Sequence, residues 1–68
     1  MTQERCSEAR KIALEAEGLL ASDVAREYIE PQPDESVVFS FFSDRAALSL
    51  IVKIKVNPDD SIEVMARG

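Results

Sequence analysis

Two rhythms of apolar and polar residues divide the chain. In the first half Cys6, Ala9, Ala13, Ala16 and Leu20 recur at spacings of three and four, with Ile12 and Leu19 widening the stripe. Glu4, Glu8, Arg10, Lys11, Glu15 and Glu17 lie mostly off it. Positions so spaced share one face of a helix, and helix formers dominate up to Glu30. The spacing predicts a helix over 3–17, with Thr2 as its N-cap and Glu4 set favourably against the helix dipole. Gly18 is either a left-handed C-terminal cap or a glycine tolerated inside one continuous helix. With a bend over 18–21, Ser22 is placed to cap a second helical segment over 23–29, with an apolar face of Val24, Ala25, Tyr28 and Ile29. Either version stops before Pro31, because the residue preceding a proline is pushed out of the helical region. The polar run Glu30-Pro31-Gln32-Pro33-Asp34-Glu35 then reads as a short, stiff connector.

Beyond it the period falls to two. Val37, Phe39 and Phe41 alternate with Val38, Ser40 and Phe42; Leu48, Leu50, Val52, Ile54 and Val56 with Ala47, Ser49, Ile51, Lys53 and Lys55; Ile62, Val64 and Ala66 with Glu63, Met65 and Arg67. Such alternation predicts three strands, and the turn chemistry of Ser43-Asp44-Arg45 and Asn57-Pro58-Asp59-Asp60 joins them as antiparallel hairpins. Opposite residues must share a face. That rule sets Val56 against Ile62, Lys55 against Glu63, Ile54 against Val64 and Lys53 against Met65. In the first hairpin it sets Phe42 against Ala47, Phe41 against Leu48, Phe39 against Leu50 and Val38 against Ile51. The face bearing Val37, Phe39, Phe41, Leu48, Leu50, Val52, Ile54, Val56, Ile62, Val64 and Ala66 is wholly apolar and needs a cover. Only the helical half is available, and Ala9, Ala13 and Ala16 let it approach closely. The expected fold is α+β in two layers, an N-terminal helix, bent or split near Gly18, packed on a three-stranded antiparallel β-meander of order 1-2-3. One domain spans 1–68: helical 2–30, linker 30–35, meander 36–67. No internal repeat is visible.

Composition narrows the chemistry. With 68 residues, 46% hydrophobic and 31% charged, the chain is globular and small. Thirteen acidic against eight basic residues and no histidine give a net charge of -5, which disfavours phosphate-bearing partners. A single thiol, Cys6, excludes an internal disulfide, fits a reducing compartment and, with no histidine, excludes the usual zinc sites. Serine or cysteine nucleophiles lack a histidine base. Cys6 reads as a packed small hydrophobe, and Tyr28, near Glu27 and Glu30, as a margin residue of the core. Asn57, Asp59, Asp60, Ser61 and Glu63 lack the glycine and spacing of a calcium loop, and the isolated Gly18 and Gly68 make no phosphate cradle. Lys53, Lys55 and Arg67 near Phe42 are too thin a set for an RNA platform, since Glu63 neutralises Lys55. No enzyme activity, cofactor, metal or nucleic-acid partner is expected. No secretory leader and no apolar run of membrane-spanning length is present, so the expected location is the cytoplasm.

The second face of the meander carries Val38, Phe42, Ala47, Ile51 and Met65 among polar residues, where a wetted face is ordinarily polar throughout. These five form the expected interface. Val37 to Phe42 is also uncharged and stands at an edge of the expected sheet, which invites pairing. The expectation is a small acidic protein-interaction module, homodimeric and acting by binding another protein in the manner of an inhibitor, immunity or adaptor protein. The acidic helical half would suit a basic partner. The alternative is a carrier of a small apolar ligand held between helix and sheet near Phe39, Phe41 and Leu20.

Overall fold

The computed structural model describes residues 3–44 and 49–68. Thr2, Ala47 and Leu48 lie outside the described residues, and with them the expected cap and the tip of the first expected hairpin. Helix α1 runs Gln3–Glu17, as its spacing predicts. Gly18 ends it: its φ of 64° is left-handed, its N–H donates to the Glu15 carbonyl at 3.1 Å, and the Leu19 N–H reaches back to Leu14 at 2.9 Å. This double bond pattern is a Schellman cap, which satisfies two carbonyls and turns the chain back. A 3-10 turn at Ala21–Asp23 follows, with the Asp23 carboxylate accepting from the Leu20 N–H at 2.8 Å.

The expected second helical segment is instead a strand, β1, at Arg26–Pro31. It pairs antiparallel with β2 (Val37–Ser43), which continues to β3 (Ser49–Val56) and β4 (Ile62–Arg67). The sheet therefore has four strands in the order β1-β2-β3-β4, and the expected three-stranded meander is its C-terminal part. The reason is tertiary. An isolated helix of some seven residues is unstable in water, whereas the same residues as a strand complete hydrogen bonds along uncharged β2. The edge expected at Val37 to Phe42 is thus interior, and the edges are β1 and β4.

Helix α1 lies over β2 and β3. Ala9, Ala13 and Leu14 meet Val37, Phe39, Phe41, Val52, Ile54 and Val56 in one buried cluster, with the Phe39 and Phe41 rings stacked at 5.7 Å. In the β2–β3 pairing Phe39 stands opposite Ile54, not Leu50. The displacement is even, so residues expected inward before the next irregularity remain inward. A bulge between Phe41 and Phe42 then brings Leu50 opposite Phe42 and leaves Ile51 as the extra residue. Ile51 packs against the core, and Leu50 shares Phe42's face. The β3–β4 pairs Val56 with Ile62, Lys55 with Glu63 and Ile54 with Val64 are as expected. A second bulge then sets Lys53 against Ala66 instead of Met65, and Val52 against Arg67. Arg67 is thereby turned to the helix side, where it pairs with Glu17 at 2.6 Å. Arg5 to Asp60 at 2.7 Å and Arg10 to Glu27 at 2.8 Å tie the helix to the sheet at two further points.

The two turns β1–β2 and β3–β4 are the same device. Gln32-Pro33-Asp34-Glu35-Ser36 and Asn57-Pro58-Asp59-Asp60-Ser61 each close with the first residue's N–H bonded to the serine carbonyl at 2.8 Å. In each, the aspartate accepts from the serine N–H at 3.0 Å and from its hydroxyl, and the following residue is left-handed, Glu35 and Asp60 both at φ 70°. An internal repeat is therefore present. Left-handed backbone costs a side chain-bearing residue about 1 kcal/mol, and glycine escapes most of that. Glu35→Gly is expected to raise the melting temperature by about 2 to 5 °C, read by thermal denaturation; a fall would show that Glu35 is not held in that conformation.

Candidate interaction surface

A helix with its side chains is about 10 Å across and strands lie about 4.8 Å apart, so one helix covers two strands of four. Here β2 and β3 are covered and the outer strands are not. Every residue of β4 is exposed, with Ile62, Val64 and Met65 at 37%, 42% and 54%. Ile62 and Val64 stand opposite Val56 and Ile54, on the helix side, beyond the reach of α1. The Asn57 N–H bond to Ser61 sets the phase of the ladder. Antiparallel pairs alternate, so Lys55 and Glu63 exchange hydrogen bonds while the N–H and C=O of Ile62 and Val64 point away from β3, to the open edge. The bulge at Met65 limits this free row.

On the helix-free face Tyr28 and Phe42 meet edge to face, ring centroids 5.6 Å apart. Tyr28 is thus a sheet residue, half exposed, and Leu50 stands beside Phe42 on that face. Of the five residues expected to form an interface, Phe42 is here and half-buried, Val38 is on the same face but 6% exposed between Glu30 and Lys55, and Met65 lies on β4. Ile51 is turned into the core and Ala47 is outside the described residues, so the five are not brought together. Ile62 and Val64, expected in the core, are exposed because they sit on the margin. The signal for this was the width of the cover: a single stripe of small residues cannot span four strands.

Phe39 and Phe41 are fully buried and Leu20 is 68% exposed, so these three line no common hollow. A surface hollow of about 410 Å³ lies elsewhere, against Leu19, Ser22, Asp23, Ser43, Asp44 and Ile51. Cys6 is half-buried with a free thiol. Among the described residues no cluster of histidine, cysteine and carboxylate side chains is placed to hold a metal ion, and no helix is long and apolar enough to cross a membrane.

Electrostatics fix the turns that lead into β2 and β4. Hydrogen bonds from the Ser36 hydroxyl and N–H hold the Asp34 carboxyl below its ordinary range, and Ser61 does the same for Asp59. The hydrogen bond to Asp60 likewise raises the Arg5 guanidinium. A carboxyl lowered in the folded state stabilises the fold above its unfolded pKa and loses that contribution as pH falls through the folded one. Resistance to urea is therefore expected to be level from neutral pH to about 5 and to fall below about pH 4. In Asp34→Asn/Asp59→Asn the fall is shallower; a fall as steep as in the parent chain would place its origin elsewhere. The chain matches no protein-family model, no curated protein and no solved structure.

Proposed function

We propose that the chain acts by binding protein, a second copy of itself first, and performs no chemistry of its own. The observation that supports this is the apolar side chains the helix leaves open at the two margins of the sheet: Tyr28 and Ile29 on β1, and Ile62, Val64 and Met65 on β4, remain exposed on a chain with a small core. Exposed apolar side chains gathered on one strand, as Ile62, Val64 and Met65 are on β4, mark a contact surface, and a domain of this size gains stability by association. The helix-free face around Tyr28 and Phe42 is the surface left for a different protein, as an inhibitor, immunity or adaptor protein would need. One cysteine and a net charge of -5 suit the reducing cytoplasm and disfavour nucleic acid. Light scattering across a concentration series tests the first step. The expected mass rises toward twice 7.5 kDa, and a constant 7.5 kDa at high concentration would refute it.

A further inference from the structure

We infer that the second copy docks on β4, strand against strand about a twofold axis at Val64. This rests on the homodimer reading above and adds the surface and the register. Charge and proline together favour β4 over β1. The chain carries -5 overall; α1 nearly balances, with Glu4, Glu8, Glu15 and Glu17 against Arg5, Arg10 and Lys11, whereas β1 and its turn hold Glu27, Glu30, Asp34 and Glu35 against Arg26 alone. Copies meeting on β1 repel one another more strongly than copies meeting on β4, where Glu63 and Arg67 balance within the strand and only Asp59 and Asp60 of its turn add charge. Pro31 ends β1 and offers no N–H to a new ladder, whereas β4 contains no proline.

Backbone phase and the bulge select the register. Ile62 and Val64 are the residues whose N–H and C=O face the open edge. A twofold axis at Glu63 would set that carboxylate against its own copy, an unfavourable like-charge pair. An axis at Val64 sets Val64 against Val64 as a hydrogen-bonded pair and Glu63 against Met65, and it keeps the bulge at Met65 from interrupting the central pair. The two sheets then meet through the two hydrogen bonds of the Val64 pair, because Ala66 lies beyond the bulge and faces β3, with Ile62, Val64 and Met65 at the junction.

Hydrogen-bonded antiparallel partners have Cα atoms about 5.5 Å apart, within the roughly 4.4 to 6.8 Å that a disulfide spans. The test is oxidation of Val64→Cys in a Cys6→Ser chain, with Leu20→Cys, a highly exposed residue away from the sheet margin, as the reference. The Val64→Cys chain is expected to give the disulfide-linked dimer at least about tenfold faster. Mixed Glu63→Cys and Met65→Cys chains should cross-link with each other at a comparable rate, which keeps the test open if Val64→Cys folds poorly. If the mass doubles in solution but neither arrangement outpaces Leu20→Cys, docking on β4 is overturned and the homodimer stands. If the parent chain keeps its single-chain mass at every concentration, both fall.

Discussion

Replacing Phe39 by alanine is expected to unfold the chain at room temperature. Phe39 is fully buried, stands between Ile29 of β1 and Ile54 of β3, and stacks on Phe41 under Ala9 and Ala13. Truncating a buried phenylalanine costs about 3 to 5 kcal/mol, part lost transfer free energy and part cavity. At roughly 0.05 to 0.15 kcal/mol per residue a chain of this length has about 3 to 10 kcal/mol in all, and small domains sit low in that range. Circular dichroism and proton NMR dispersion read the outcome. A folded Phe39→Ala chain with a melting temperature close to the parent's would show that this ring does not hold the layers together.

Ala13→Leu has the second largest expected effect, for the opposite reason. Ala13 is fully buried where the helix meets the sheet, and extra carbons there push α1 off β2 and β3 or force strained rotamers. Overpacking of this kind costs about 1 to 3 kcal/mol, a fall of roughly 5 to 20 °C in melting temperature for a domain this small. Ala16, one helical turn on, is exposed, so Ala16→Leu is the matched control and is expected to melt within a few degrees of the parent. Equal losses at the two positions would mean that the helix does not sit on the sheet through its Ala9 and Ala13 face.

Much of this architecture is legible in the residues. Spacings of three and four mark α1 over Gln3–Glu17, and the alternation from Val37 onward marks three strands, two layers and the start of the second hairpin. Strand β1 is not legible from periodicity, because Val24, Ala25, Tyr28 and Ile29 satisfy a helical stripe and Arg26, Glu27 and Glu30 are good helix formers. Pairing with β2, a tertiary contact, decides the matter. A signal did exist: Pro33-Asp34-Glu35-Ser36 repeats the chemistry of Pro58-Asp59-Asp60-Ser61. Reading the second as a hairpin turn implies a strand on each side of the first.

The two bulges were beyond reach, since neither carries a glycine to announce it, and they decide the surface. One turns Ile51 inward and Leu50 outward; the other brings Arg67 round to Glu17. Val38, Phe42 and Ile51 are not brought together as expected because the β2–β3 register sets Val38 against Lys55 and the bulge turns Ile51 to the core. Exposed apolar side chains remain at Tyr28 on the helix-free face and at Ile62, Val64 and Met65 on β4.

Amide hydrogen exchange at Val64, followed against protein concentration, bears most directly on the open margin of the sheet. Lys55 bonds across to Glu63 within one chain and should exchange slowly, at a rate that does not depend on concentration. The Val64 amide should exchange quickly when the protein is dilute and slow progressively as it is concentrated, because its partner is another copy. A Val64 rate that is the same at every concentration would contradict the account.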